Sequence, residues 1–401
     1  MTIARDDVET IEQWLIDRTN DATDFGPIFD GFCERVAGAG VPLMRAALGS
    51  FLLHPILEAQ GYIWSRNQGL LREQYDRYDV SRDPDEWLTS PFFHMVDSKL
   101  ERLALRLEKG EGTNRFPLLA RLAQLGGTEY FAQMVEYPSG SSVGPVEGIL
   151  CSWITDKPGG FDETDKEALA RLLRSLAAIY KIVISVGASQ VLMESYLGRD
   201  AGRRVIEGAI ERGTPETIRT VIWFSDLRGF TRLSDTLPGE ATLSLLNAYA
   251  ERIADCIQKA GGQVVKFVGD GILATFSADE LSDAHGAAMD AADNALAAIE
   301  ELSAERRAQG EPATEAAIAL HEGTVLYGNI GSRDRLDFTV IGQAVNEASR
   351  IGELCKSLEQ TVVISDQFAA AAPDHQHRLI QLGRFALRGV SQPRMLYTLE
   401  R

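Results

Sequence analysis

By pattern alone the chain is α+β: two domains joined by a long helix, the second built on a βαββαβ-type sheet with flanking helices. Three observations support this. The 401 residues are two or three domains' worth at roughly 150 residues each. A helical pattern runs from Glu163 to about Leu197, with Leu169, Leu172, Leu173, Leu176, Ile179, Ile182, Val183 and Val186 spaced by roughly 3.5 residues, as in a paired helix. From Thr220 onward short apolar runs alternate with helical stretches, the texture of a ferredoxin-like sheet.

Composition sets the limits. Apolar residues at 45% and charged residues at 24% describe a chain that folds, which excludes extended disorder and collagen-like repeats. Lys plus Arg is 40 against 58 Asp plus Glu, a net charge of −18 that repels phosphate backbones and anionic lipid. Nucleic-acid and membrane-surface partners are therefore not expected. Cys33, Cys151, Cys256 and Cys355 form no CxxC pair, so a reduced, cytoplasmic location without zinc or iron-sulfur sites is expected. The N-terminus, MTIARDDVETIEQ, carries no apolar signal core, and every uncharged run falls short of the roughly 18 residues that cross a bilayer.

Along the chain, residues 1–162 hold Trp14, Trp64, Trp87 and Trp153, a helical stretch from Ser98 to Lys109 and a strand-like run from Val146 to Thr155, the mixture of an α+β domain. Tyr62, Trp64, Trp87 and Trp153 suit either a small-molecule pocket or a plain core, and His54 and His94, beside apolar residues, are read as packed residues rather than haem or metal ligands. Residues 163–216 link the domains. Thr220 to Phe224 lacks alternation and reads as a central strand. Gly239 to Ala260 reads as a helix with Leu243, Leu246, Ile253 and Ile257 on one face, ended by Gly261-Gly262. Val264–Val268 and Ile272–Phe276 form a hairpin, because Gly269-Asp270-Gly271 supplies the positive φ of a tight turn. Asp283 to Gln309 is an alanine-rich helix. Strands follow at Glu315–His321 and Thr324–Ile330, then a helix at Gln343–Leu358, and closing strands near Val362, Leu379–Leu382 and Met395–Leu399.

Asp226, in FSDLRGFT, and Asp270, at the hairpin tip, both stand at strand ends. If the first strand lies beside the hairpin, the two carboxylates converge on an oxygen-rich point suited to Mg²⁺ or Mn²⁺. Leu227, Arg228, Gly229, Phe230 and Thr231 then offer backbone amides to a polyphosphate. Each aspartate alone is equally explained as a turn residue. Their occurrence together with DFTVIGQAVNEASR, where Asn346 and Arg350 are four apart on one helical face, changes the reading.

Residues 217–401 resemble the class III adenylyl/guanylyl cyclase catalytic domain. Separated motifs occur in the family's order: Phe224–Thr231, Lys266–Phe276, His321–Gly331, Asp337–Arg350 and Leu387–Tyr397. The resemblance implies an adenylate cyclase, a lyase that converts ATP to 3′,5′-cyclic AMP and pyrophosphate. It implies that Asp226 and Asp270 hold two divalent ions, that Asn346 orients the ribose and that Arg350 neutralises charge on the α-phosphoryl group. Arg388 stands where the family has a lysine for the terminal phosphates, and Arg keeps the charge. Lys266 and Thr339 occupy the base-reading places, with Asp337 as the competing acceptor. A Lys/Thr pair resembles the bicarbonate-responsive adenylyl subclass, and it favours adenine, because the lysine donates to N1 and the hydroxyl accepts from the N6 amine. Family geometry further implies a homodimer with two composite sites. Ser195–Gly208 resembles the transducer of bacterial cyclases, and Val146–Leu176 the end of a GAF-type sensor domain. His321 is expected to be structural. The competing readings are a guanylate or dual-specificity cyclase and a catalytically silent nucleotide-binding module. A diguanylate cyclase is disfavoured because the GG[DE]EF turn is absent.

Overall fold

The computed structural model describes residues 3–19, 24–79, 84–137, 148–213, 215–390 and 392–400. Of the sequence readings, Val146 and Glu147 at the start of an expected strand, and Ser391 within Leu387–Tyr397, lie outside these residues. Two compact units result, residues 1–192 and 193–401.

The first unit contains α1 (Arg5–Arg18), α2 (Gly26–Gly38), β1 (Arg45–Phe51), β2 (Leu57–Ser65), β3 (Gly69–Asp76), α3 (Pro84–Leu88), α4 (Pro91–Asp97), β4 (Arg102–Arg106), α5 (Pro117–Gln124), β5 (Glu129–Glu136), β6 (Gly148–Thr155) and most of α6 (Glu163–Leu197). Its sheet is antiparallel, in the order β3-β2-β1-β6-β5-β4. Strand alternation sends Ala46, Leu48, Tyr62, Trp64, Cys151 and Trp153 to one face, where α1, α2 and α6 cover them. The other face is covered in part by Met95 of α4 and by Leu119 and Leu122 of α5.

Two expectations change here. Ser98–Lys109 is not a helix: Arg102–Arg106 is a strand paired with β5. Leu100, Leu103 and Leu107 fit a helical spacing, but Leu103, Leu105 and Leu107 fit a period of two, and Lys99 and Gly110 at φ 52° and 77° break any continuous helix. The second concerns α6, whose apolar residues divide. Leu169, Leu172, Leu173, Leu176, Ile179 and Val183 are buried in the core, whereas Ile182 and Val186 are exposed. Among the described residues α6 alone is long and apolar enough to cross a membrane. His54 accepts the amides of Ile56 and Leu57 through Nδ1, and His94 lies against Ser98 and Arg115.

The second unit contains α7 (Arg199–Ile206), β7 (Glu216–Leu227), α8 (Phe230–Thr236), α9 (Gly239–Lys259), β8 (Gln263–Val268), β9 (Gly271–Ser277), α10 (Ala284–Ala308), β10 (Ala316–Gly331), β11 (Leu336–Ile341), α11 (Gln343–Ser357), β12 (Val362–Ser365), α12 (Asp366–Ala371), β13 (Leu379–Phe385) and β14 (Arg394–Leu399). The sheet runs β13-β14-β12-β10-β7-β9-β8, with β11 paired to the far half of β10. Within it β7, α9, β8, β9, α10 and β10 follow the βαββαβ course of a ferredoxin-like fold. Helices α9 and α10 bury Val221 and Trp223 on one face, and α11 covers Ile222 on the other.

Sequence periodicity misplaced two features of this unit. The expected pair Glu315–His321 and Thr324–Ile330 is one continuous strand of 16 residues. Gly323 makes no turn; a Cβ there would come within 2.4 Å of Ala344, so the glycine admits α11 against the sheet. On α9 the buried face is Leu245, Tyr249, Ile253 and Ile257, an i, i+4 ladder, and Leu243 is exposed. His321 is buried against Ser365 Oγ at 2.9 Å.

Candidate active site

Strand β7 carries Asp226 to the edge of the sheet, and the β8–β9 hairpin brings Asp270 to meet it. Ser225 pairs with Ile272, so the next residue of β7 stands beside the hairpin tip. The tip is a two-residue loop, Gly269-Asp270, with Gly269 at φ 65°, a conformation that costs glycine nothing. A Cβ at Gly271 would lie 3.2 Å from both Ser225 O and Val268 O, so a second glycine lets the strands close up. The two carboxyls reach hydrogen-bond contact.

This contact has an electrostatic consequence. Asp226 is half-buried, and burial, then the hydrogen bond to Asp270, then the charge of Asp270 push its pKa up to about 7; the Leu227 amide, donating to Asp226 Oδ1 at 3.0 Å, opposes the rise. No cation figures among these causes. Tyr249, unmarked in the sequence reading, donates its hydroxyl to Asp226 O at 3.2 Å and steadies the strand end. Its i, i+4 place between Leu245 and Ile253 was the available signal. Among the described residues no cluster of three or more His, Cys, Asp or Glu is assembled for a metal. Two carboxylates and nearby carbonyls nevertheless suit Mg²⁺ or Mn²⁺, which need few protein ligands when substrate phosphates and water complete the shell. The point between the two facing acids is where such a cation would be held.

The loop after Asp226 is only partly open. The Leu227 amide is engaged by Asp226, and the Arg228 amide donates to Glu315 O at 2.9 Å. The Arg228 guanidinium reaches Gln360 O and Cys355 O, tying β7 to the end of α11. Leu227 and Arg228 therefore offer no free amide to a polyphosphate, contrary to the sequence reading. Gly229, at φ 70°, starts α8, and the first-turn amides at Phe230 and Thr231 lack intrahelical acceptors by position.

Lys266 lies on β8, and its Nζ is hydrogen-bonded to Asp337, two residues before Thr339. Asp337 and Thr339 share one face of β11 by alternation, the first exposed and the second buried opposite Gly328. One donor thus stands near two acceptors. Asn346 is exposed on α11, and Arg350 follows one turn later. A Cβ on Gly389, at φ 74°, would lie 3.3 Å from Arg350 Nη1, so the bare backbone beside Arg388 makes room for the guanidinium. That fit needs tertiary structure, and only the glycine itself hinted at it. Among the described residues neither Arg350 nor Arg388 has an ion-pair partner.

Residues 213–401 match the family described as the adenylate and guanylate cyclase catalytic domain. An uncharacterized protein of Mycobacterium tuberculosis is 35% identical over 202 residues, which are 49% of this chain and 34% of that protein. The chain thus spans about a third of the length of the curated relatives it matches. A bacterial light-regulated adenylyl cyclase shares the fold at 21% identity and a TM-score of 0.50, over 64% of this chain and 83% of that one. The adenylyl cyclase CyaB from P. aeruginosa is 30% identical with a TM-score of 0.41, over 47% of this chain and 96% of that one.

Proposed function

With an adenylate and guanylate cyclase catalytic domain at residues 213–401 as premise, we propose that the chain is an adenylate cyclase that works as a homodimer with two composite sites. One observation carries this reading: among the described residues of a single subunit the acid pair has no cation to offset it, and, elsewhere, Arg350 and Arg388 have no acidic partner. Each half lacks what the other supplies. Exposed apolar residues accompany the open half-sites: Phe267 and Val268 beside Lys266, and Leu326, Leu336 and Ile341 on the β10–β11 arm. A second copy is the economical cover for them.

In this reading Lys266 leaves Asp337 to donate to adenine N1, and Thr339 accepts from the N6 amine; Asp337 is the rival acceptor, favoured by the contact it makes in the ligand-free chain. Guanine presents the opposite pattern at both edges, so ATP is preferred. Asn346 orients the ribose so that its 3′-oxygen faces the α-phosphorus. The bond from that oxygen to phosphorus forms, the bond to the β-phosphate bridging oxygen breaks, and pyrophosphate leaves. Arg350 donates to the α-phosphoryl oxygens as their charge rises, and Arg388 holds the departing phosphates. Amides at Gly229, Phe230 and Thr231 receive the rest of the triphosphate. Mg²⁺ or Mn²⁺, two per site on Asp226 and Asp270, would supply acidification of the 3′-hydroxyl and charge neutralisation.

We read residues 1–162 as a GAF-like sensor and 163–216 as the helix and transducer that connect it to a catalytic domain at 217–401. Support comes from the antiparallel sheet with α1, α2 and α6 on one face and α4 and α5 on the other, and from α7, held to β7 and β10 through Arg204. The Lys/Thr pair makes bicarbonate a candidate activator.

The test is a product assay with Mn²⁺ and ATP or GTP, repeated with bicarbonate at fixed pH. Cyclic AMP is expected; cyclic GMP alone would reassign the substrate, and no product from either nucleotide would indicate a silent module. Asp226→Ala and Arg350→Ala proteins should each be inactive, and their mixture should regain activity through hybrid dimers. Persistent inactivity of the mixture, with both variants folded and dimeric, would sink the composite site.

A further inference from the structure

The first unit has a cavity of about 660 Å³, open to solvent on one side, on the sheet face away from its main core, between β1 and the helices α3, α4 and α5. Its size is that of a small-molecule site. Strand alternation builds it. Ala46, Leu48 and Ser50 of β1 are buried toward the core, while Arg45, Ala47, Gly49 and Phe51 face the cavity. Two small residues in succession leave the floor open, and a Cβ at Gly49 would already approach Phe92 at 3.5 Å. Phe92, Leu118 and Trp87 make apolar walls, with Trp87 packed edge-on against Phe51 at 5.7 Å.

Charge on this floor is unbalanced. Among the described residues Arg45 has no ion-pair partner, and its Nη1 is shielded from solvent with no hydrogen-bond acceptor. Burial works most strongly against its charge, Tyr130 and then Glu73 partly offset this, and Arg121, in the wall of the same cavity, adds to the opposition. Arginine cannot shed its proton in response. A cation held in this way is costly to the ligand-free protein, and the fork of a guanidinium matches an oxyanion. Tyr130 and Ser152, hydrogen-bonded to each other, stand beside it as further polar groups. Glu58, Glu73 and Asp76 also line the cavity, and Glu73 is near enough to Arg45 to favour its charge without pairing with it. Those acids repel a polyanion such as a nucleoside triphosphate and leave room for a single negative charge at Arg45.

We propose that this cavity binds an organic monocarboxylate with an aromatic or aliphatic body, and that Arg45 anchors the carboxylate. The site is separate from the catalytic one and does not depend on it.

The test uses the intact chain and the fluorescent aromatic monoanion 1-anilinonaphthalene-8-sulfonate as probe. Indole-3-acetate and decanoate should displace it about tenfold or more better than their uncharged amides, and ATP should not displace it. Arg45→Met should weaken the probe and both carboxylates by about tenfold or more while leaving Tm unchanged or higher, since a shielded, unpaired charge is removed. Leu118→Trp, which fills the cavity with Arg45 intact, should also abolish displaceable binding. Equal competition by the amides would overturn the proposal, as would displacement by 3′,5′-cyclic AMP but by no carboxylate. A fall in Tm on Arg45→Met with probe affinity unchanged would mark a structural arginine, and full binding by a folded Leu118→Trp would place the probe elsewhere.

Discussion

Two acidic sites in the second unit sit near ends of the same sheet and have opposite electrostatics. Asp200, buried at the start of α7, receives Arg203 at 2.8 Å and Arg204 at 2.7 Å, with the Tyr327 hydroxyl alongside. Asp226, less buried, faces another carboxylate. The first site is complete within one chain. The second favours a proton or a cation from outside, and an arrangement that folding does not need points to chemistry.

The sharpest way to break this contrast is to neutralise each acid. Asp226→Asn should lower kcat by a factor on the order of 10² to 10³ or more, with little change in stability, because it removes a site for charge stabilisation and relieves a repulsion. Asp200→Asn should do the reverse. It should cost about 1–2 kcal/mol of stability in a denaturant titration, since Arg203 and Arg204 lose their buried partner, and leave the chemistry of an isolated turnover near wild type. An Asp226→Asn protein of full activity would remove the acid pair from the mechanism.

Titration sharpens the comparison next. The Asp226 carboxyl is raised from its ordinary value of 3.8 to about 7, so the folded metal-free chain binds a proton the unfolded chain releases. That contribution to stability is complete below about 4 and is lost as pH rises through about 7. Cations compete with the same proton. Mn²⁺ affinity, followed by calorimetry, should therefore strengthen by about tenfold per pH unit up to about 7 and then level off. Asp270→Asn should flatten this slope as well as weaken binding, and an unchanged slope would dissociate the two acids.

The smallest expected effect concerns the base-reading end. Thr339→Ala and Asp337→Ala should each lower the ATP-over-GTP ratio of kcat/KM several-fold, by about 1 kcal/mol for one lost hydrogen bond. The larger loss identifies the acceptor of the N6 amine. The expected ranking has Thr339 first, and the reverse would assign the role to Asp337.

The two acid sites also differ in how far the sequence revealed them. Asp226 and Asp270 were legible because local chemistry fixes both: a strand that ends, and a glycine turn whose geometry needs no knowledge of the rest of the chain. The proposed roles of Asn346 and Arg350 came from the resemblance, but that they stand one turn apart on one helix was legible through helical period. Leu227 and Arg228 were not, because what occupies their amides, the Asp226 carboxylate and Glu315 of a distant strand, depends on how the sheet is assembled. The break expected between Glu315–His321 and Thr324–Ile330 failed for the same reason: close approach of Ala344 and a chain reversal both call for a glycine such as Gly323, and only packing decides between them. The cavity around Arg45 left almost no trace, since its lining comes from seven separated stretches of chain that only the fold brings together. Ser98–Lys109 failed differently, as a leucine pattern compatible with either period was settled by pairing with β5.

One feature at the base-reading end remains consequential. Because Lys266 already has a companion in Asp337, a purine bound as proposed would arrive at a place that is taken, and its entry would be an exchange of partners. Both side chains are partly solvated, so the tenant is weakly held, by no more than about 1 kcal/mol. The toll is the same for every visitor, but only one offering an acceptor to the lysine and a donor to the acid or hydroxyl recovers it, so affinity is surrendered to gain discrimination.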